Sequence, residues 1–547
     1  MKILAVNSGV SGMHDPSAVL VEDGKVLMAI EEERFVGIKH APEMLPLNAI
    51  KYVLKVHGLK ITDIDKFVYP NMPDFLNLIR RGSIKRPYTY IGGLRIYRDI
   101  KNRVKQFFNY HFRIDPEIIY MKHHMGHATS AFYLSGFKKA NILTMDAAGE
   151  RTCTMLAVGN DDEIEITKEI YIPDSWGYLY SAFTEFLGYK NGDEGTIMAL
   201  ASFGQPKYDF FKSGIVKLTK EGYEIDRRFG SIQYTDETVK RFGEPRLNGE
   251  LTQHHKDIAA SLQDAIEKTV IHLARIMYEK TGYKNFCLAG GSALNCKMNG
   301  VLLQQDFVDD IFIQPAASDQ GGALGAAVKV AIDNGYKFDK MRHAYLGSEN
   351  KDEEIENVLK VAKVKYEKIA DVAGTTAELL AANKIVGWVQ GRMEFGPRAL
   401  GSRSILTSAQ DPNMKDILND RVKHREPFRP FCPSLVAEAA KDYFEGKIKD
   451  SPFMILSFDV KKEMQKRIPA IVHVDGSARP QFVEKDVNPL YYDVIKKFGK
   501  MSGDPVILNT SFNDKGQPIV RTPDQALKMF YGTGMDNLVV GNYLLSK

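Results

Sequence analysis

The hydrophobic and polar positions of the first thirty-odd residues predict strands. KILAVNSG (2–9) is a short apolar run that closes on Asn7 and Gly9, and SAVLVEDGKVLMAIEEER (17–34) holds two apolar runs split by Asp23-Gly24. An Asp-Gly pair between such runs signals a hairpin, because both residues accept the left-handed backbone of a tight turn. The layout returns over 141–170 as the run NILTMD, the loop AAGERT, then CTMLAVGNDDEIEITKEI. Each copy ends its first strand on Asn7 or Asp146, with a glycine just beyond. The repetition predicts a duplicated α/β unit whose two glycine-bearing turns face a common ligand.

Helical spacing of apolar residues predicts a long helix over 254–282. NFCLAGGSALNCKMNG then reads as a strand, a Gly-Gly turn and a helix, an arrangement that lets backbone approach a ligand at a helix N-terminus. Charged residues crowd 340–380, and from IVGWVQG (385–391) a fresh alternation of strands and helices runs to the end. A chain of 547 residues exceeds the size at which single cores stop growing, so two domains are expected, 1–350 and 355–547.

Composition narrows the class. Apolar residues make up 44% and charged residues 26%, as in ordinary globular proteins, and a net charge of +4 argues against a molecule built throughout to bind polyanions. No run approaches the roughly 18 apolar residues of a membrane span, and MKILAVNSG is too short for a signal-peptide core. The four cysteines (Cys153, Cys287, Cys296, Cys432) form no C-x-x-C pair, which fits reduced, buried thiols and a cytoplasmic protein.

Two constellations carry chemistry. His123 and His127 stand four apart in KHHMGHATSAF, so on a helix both rings reach one ion. Asp146 at a strand end and Asp319 at a Gly-rich helix start complete a nitrogen–oxygen set suited to Fe, Mn or Zn, among which spacing does not choose. The segment 391–434 is dense in cations: Arg392, Arg398, Arg403, Arg421, Lys423, Arg425 and Arg429 among Gly, Pro and Phe. Guanidinium forks bind phosphates bidentately, so this reads as a phosphate groove, joined by Arg479 and by the small polar groups Asn509, Thr510, Ser511 and Asn513. The basic, aromatic stretch 79–108 reads as a solvated helix pair capping the first domain, or as a contact for an anionic or sugar acceptor or a polyanion.

These stretches together resemble the NodU/CmcH carbamoyltransferases, the O-carbamoyltransferases of nodulation-factor and antibiotic biosynthesis. The similarity lies in HDPSAVLVEDG, HHMGHATSAF, GGSALNC, QGRMEFGPRALGSRSI, KHREPFRPF, HVDGSARPQ and LNTSFNDKGQPIV, in family order over nearly the whole chain. The resemblance implies an actin-like N-terminal domain, akin to the tRNA threonylcarbamoyl-transfer proteins, and an α/β YrdC-like C-terminal domain. It implies that the latter makes carbamoyl adenylate from carbamoyl phosphate and Mg-bound ATP, releasing pyrophosphate. Arg392, Arg398, Arg403, Lys423, Arg425, Arg429, Arg479, Asn509, Ser511 and Lys515 are the expected ATP and carbamoyl-phosphate contacts. The N-terminal domain would hold one metal ion, usually iron in this family, on His123, His127, Asp146 and Asp319. Gly290, Gly291 and Asn295 would touch the adenylate, His14 would be the catalytic base, and Lys39 would lie near the acceptor. The chain departs from the family at EGTIMALASFG, where Thr196 replaces a lysine and Ala199 and Ser202 replace glycine and proline, and at Lys515, which replaces an arginine.

The expected partners are carbamoyl phosphate, ATP and a hydroxylated small-molecule acceptor, without a membrane or nucleic acid, and with homo-oligomerisation open. A tRNA threonylcarbamoyl-transfer enzyme and an actin-like nucleotide-binding ATPase are the alternatives. The order of the domains disfavours the first, and the second phosphate-binding block disfavours the other. A hydrogenase-maturation carbamoyltransferase would need Cys-rich zinc motifs, which this sequence lacks.

Overall fold

The computed structural model describes residues 1–9, 14–72, 101–247 and 249–547. Two compact units emerge, and neither is one continuous stretch. The first is Met1–Gly177, Thr281–Ala293 and Ile311–Met341; the second is Tyr178–Lys280, Leu294–Asp310 and Arg342–Lys547.

The first unit is built twice. Strands β1 (Lys2–Asn7), β2 (Ser17–Glu22), β3 (Lys25–Glu31), β4 (Lys66–Tyr69) and β5 (Ile118–Tyr120) form a sheet in the order β3-β2-β1-β4-β5. β1 pairs antiparallel with β2 and parallel with β4. Three more strands follow, β6 (Lys139–Gly149), β7 (Thr152–Asn160) and β8 (Glu163–Tyr171). After a hairpin of the second unit, β9 (Val216–Thr219) and β10 (Gly222–Ile225), come β11 (Asn285–Ala289) and β12 (Asp310–Ile313). The second sheet runs β12-β11-β6-β7-β8, with β6 antiparallel to β7 and parallel to β11. Both sheets thus put their first strand in the centre, a meander on one side and, on the other, a strand parallel to it followed by an edge strand. This duplicated topology is the actin-like fold expected from the repeated hairpins.

Position in the sheet explains the sequence pattern of each strand. Central β1 is buried over Ile3–Asn7 and reads as a continuous apolar run. Edge strand β8, EIEITKEIY, alternates between more and less exposed residues over its first half. Asp23 and Gly24 both take positive φ (48° and 76°) in the β2–β3 turn, as the Asp-Gly pair predicts.

The second unit carries the long helix Gln253–Thr281, whose last residue lies beyond the boundary, the helix Cys296–Leu303, and a mixed sheet. That sheet uses β13 (Glu367–Lys368), β14 (Val386–Val389), β15 (Arg403–Ser408) and β16 (Cys432–Val436). A small pair, β17 (Phe458–Asp459) and β18 (Ser477–Ala478), precedes β19 (Gln481–Val483), β20 (Val506–Ser511), β21 (Asn537–Val540) and β22 (Tyr543–Ser546). The eight-stranded order is β13-β22-β21-β14-β15-β20-β16-β19.

Of the basic segment 79–108, residues 79–100 lie outside the described residues. Val104, Phe107 and Phe108 pack into the core around the first sheet, with Leu4, Phe67 and Tyr69.

Candidate active site

Three local devices bring four donors together in the first unit. The helix His123–Phe132 puts His123 and His127 on one face. The β6–β7 ladder slips between Met145 and Gly149, and this bulge takes Asp146 out of the pairing and re-aims its side chain. The helix Asp319–Asp333 packs closely on the His123–Phe132 helix through glycine: a Cβ on Gly325 would stand 1.8 Å from the Gly126 carbonyl oxygen. Asp319, at its first turn, is thereby delivered to the two imidazoles.

All four side chains are buried, and their donor atoms lie within 4.8 Å of one another. The Nε2 atoms of His123 and His127 are 2.9 Å apart. Asp146 Oδ2 is 3.0 Å from His127 Nε2 and 3.6 Å from His123 Nε2, and Asp319 Oδ1 is 3.5 Å from His123 Nε2. Burial pushes the His123 imidazole down, but Asp319 and Asp146 outweigh it and bring its pKa up to about 9. Burial alone would raise Asp146; hydrogen bonds with both imidazoles hold it well below the carboxylate range. Asp146 also accepts from the backbone N–H groups of Ala147 (2.6 Å) and Gly291 (3.3 Å). Convergence of two imidazole nitrogens and two carboxylates in a buried space fits a cation of the nitrogen–oxygen class. The donors include no thiolate.

His14 sits beside this cluster's elements. Asn7, at the end of β1, donates through Nδ2 to the carbonyls of His14 (3.1 Å) and Asp15 (3.2 Å) and so fixes the loop. Asp15, nearly buried, accepts from His14 Nδ1 at 2.9 Å and from His40 Nδ1 at 2.7 Å. Ser318, next to Asp319, donates to the same carboxylate at 3.2 Å. Desolvation opposes a charge on His14, but Asp319, Asp15 and Asp146 bring its pKa up to about 10. Lys39 is exposed in the turn immediately before His40.

Gly290 and Gly291 follow β11. Gly290 has φ +89°, and a Cβ there would lie 2.2 Å from the Met145 carbonyl oxygen, so only glycine lets the turn meet β6. Asn295 belongs to the second unit, where it caps the Cys296–Leu303 helix through Met298 N–H (3.1 Å) and exchanges hydrogen bonds with Gln263.

The cationic residues of the second unit divide by what they touch. Arg403 is fully buried and donates to the carbonyls of Gln390, Gly391, Ser402 and Ser348, which ties the end of β14 to β15. Arg392 likewise donates to the carbonyls of Leu346 and Gly347. Asn509 bridges Ala399 and Ser434 inside the sheet. Lys423 is buried against Ser511 and the Asn513 amide oxygen (2.8 Å), and Ser511 Oγ donates to that oxygen too. Lys515 and Arg429 pair with Glu426.

Arg398, Arg425 and Arg479 differ from these. None makes a carboxylate salt bridge among the described residues. Among the described residues Arg398 reaches only the Leu294 carbonyl, at 3.4 Å, and its Nε and that of Arg425 are buried without a hydrogen bond. Arg425 lies over the Phe431 ring at 4.6 Å. Arg479 donates to Cys432 Sγ at 2.9 and 3.2 Å. Burial, then the charge of Arg479, pushes the Arg398 pKa down; burial, then Arg429, does the same to Arg425. Crowded, desolvated guanidiniums of this kind are relieved by an anion.

Comparison with known proteins gives the family. The model of the carbamoyltransferase N-terminus matches residues 6–328, and that of the carbamoyltransferase C-terminus matches residues 377–547. The chain belongs to the carbamoyltransferase family. It is 39% identical to Nodulation protein NolNO of Sinorhizobium fredii over 98% of its length and 79% of that protein. It is 38% identical to an uncharacterized Synechocystis protein, over 98% of its length and 95% of that protein. Nodulation protein U of Rhizobium tropici is 27% identical, over 98% of this chain and 96% of the relative. As a member of the carbamoyltransferase family the protein is an enzyme of carbamoyl transfer.

Two residues of this carbamoyltransferase escape a reading by motif: Asp15 and His40. Their signal was adjacency, since each directly follows a candidate residue, His14 or Lys39. At the family departures, Thr196 is buried in the helix Glu194–Ala201, and Ser202 Oγ joins Asp475 and Lys297 at 3.0 and 2.9 Å.

Proposed function

We propose that this enzyme makes carbamoyl adenylate from carbamoyl phosphate and ATP and passes the carbamoyl group to a hydroxyl of a small-molecule or sugar acceptor. The observation that supports this reading is the set of half-buried guanidiniums of Arg398, Arg425 and Arg479, which make no carboxylate salt bridge among the described residues and suit phosphate groups. Division of labour falls between residues 1–350, which transfer, and 355–547, a YrdC-like domain that activates with Mg-bound ATP.

Atom balance fixes the products. For pyrophosphate to leave ATP and carbamoyl–O–AMP to form, the phosphoryl group of carbamoyl phosphate must depart as inorganic phosphate to water. The carbamate oxygen then attacks the α-phosphorus. Lys423, Arg425, Arg429 and Arg479 would hold the phosphates, with Arg398. In the transfer half, Gly290 and Gly291 would present backbone to the adenylate, joined by Asn295. His123, His127, Asp146 and Asp319 would hold one metal ion, with iron the first choice and Mn or Zn the others. When bound, such a cation polarises the carbamoyl carbonyl. His14 would take the proton of the acceptor hydroxyl, a service worth about 10²–10⁴-fold, and Lys39 would lie beside the acceptor. The cytoplasm, where ATP and carbamoyl phosphate are made, is the matching compartment.

The stoichiometry tests this directly. Full-length enzyme given ATP and carbamoyl phosphate should release phosphate and pyrophosphate one for one. Release of ADP in place of pyrophosphate would overturn adenylation.

A further inference from the structure

The contacts of Asp15 go beyond what a general base at position 14 requires. Its carboxylate is buried and accepts three side-chain donors: His14 Nδ1 (2.9 Å) and Ser318 Oγ (3.2 Å) on Oδ2, and His40 Nδ1 (2.7 Å) on Oδ1. A carboxylate only accepts, so both imidazoles must carry a proton on Nδ1, and Nε2 is the nitrogen that offers a lone pair whenever the ring is neutral. Asp15 and His40 both lie in the left-handed backbone region (φ 59° and 63°), which costs a residue with a Cβ energy. A backbone hydrogen bond from Asp15 N–H to the His40 carbonyl (3.0 Å) ties the two strained residues to each other.

We propose that Asp15 is the positioning residue of the transfer step, holding His14 in the tautomer that offers Nε2 to the acceptor, with His40 as the second imidazole that locks the carboxylate. This rests on the reading of His14 as the base. In the step, His14 Nε2 takes the hydroxyl proton while the acceptor oxygen bonds to the carbamoyl carbon. The bond from that carbon to the adenylate oxygen breaks, and AMP leaves. Asp15 stays ionised and stabilises the imidazolium. The His14 side chain is 45% exposed, so the proton then has a route to water. Ser318 precedes the candidate ligand Asp319, which couples the orientation of the base to the donor cluster.

The test uses full-length, metal-loaded enzyme with ATP and labelled carbamoyl phosphate, and water and glycerol as hydroxyl sources. Asp15→Asn should lower kcat for carbamoyl glycerol by at least about 10²-fold, the scale of a wrong tautomer in a His–carboxylate pair. The KM for glycerol and the metal content should hold. His40→Gln should cost less, and Asp15→Glu should recover part of the rate. Histidine-selective ¹⁵N spectra should show His14 protonated on Nδ1 in the wild type and lose that signature in Asp15→Asn. An unchanged kcat in Asp15→Asn, with His14→Ala inactive, would overturn the positioning role and leave the base. Wild-type rates in His14→Ala would remove both. A second metal ion per chain, lost in Asp15→Asn, would make the cluster a metal site and overturn the proposal.

Discussion

His123 Nε2 and His127 Nε2 face each other at 2.9 Å with carboxylates of Asp146 and Asp319 close by. A proton on one imidazole relieves part of this crowding, and a metal ion relieves all of it. Full-length protein should therefore bind about one ion per chain, and His127→Ala should lose it; elemental analysis showing full occupancy in His127→Ala would refute the ligand set. The protons and the ion compete for the same acids, which makes a pH prediction. In the metal-free chain, His123 and His14 hold protons with pKa values of about 9 and about 10, against 6.5 for a free imidazole. Raised imidazole pKa values stabilise the fold fully below about pH 6.5, and that contribution is lost as pH climbs through 9 to 10. Chelator-treated protein should lose Tm between pH 7 and 10. Metal-loaded protein should show a flatter profile, because the cation takes over from the imidazole protons as the positive charge beside Asp146 and Asp319. Parallel profiles for the two forms would contradict this account. The four donors were legible as residue types at telling positions. Asp15 and His40 were not, because a contact between loop residues 25 apart leaves no periodicity. Composition also could not tell a guanidinium aimed at backbone, as in Arg403, from Arg398, which makes a single long contact.

At the scale of elements, the donor cluster depends on how closely two helices approach. Gly325 lies against the backbone of Gly126, one residue before the candidate ligand His127. Gly325→Ala has no flexible side chain to push aside, so it must part the helices, at about 1–3 kcal/mol or more. A lowered Tm with weakened metal binding is expected, measured by calorimetry and metal titration. Wild-type metal affinity in a folded Gly325→Ala protein would show that Asp319 reaches the site without this packing. The hairpins were legible because Asp23-Gly24 and the strand alternation are local signals. The bulge that frees Asp146 was not, since it arises from the pairing of β6 with β7 rather than from either strand.

For the whole molecule, the repeated hairpin predicted a duplicated sheet, and both sheets carry the same strand order. Compactness follows another logic: segments 178–280 and 294–310 group with 342–547, and no shift of composition along the chain announces this. The proposed activating and transferring functions are therefore best tested in the intact chain. Adenylation has a signature that no later step can imitate, return of labelled pyrophosphate into ATP through the adenylate. The account predicts ATP–pyrophosphate exchange in full-length enzyme that requires carbamoyl phosphate. Arg398→Ala should slow it about 10–100-fold, as loss of a charged hydrogen bond to phosphate would. Exchange that proceeds equally without carbamoyl phosphate, or none at all in folded, active enzyme, would contradict it.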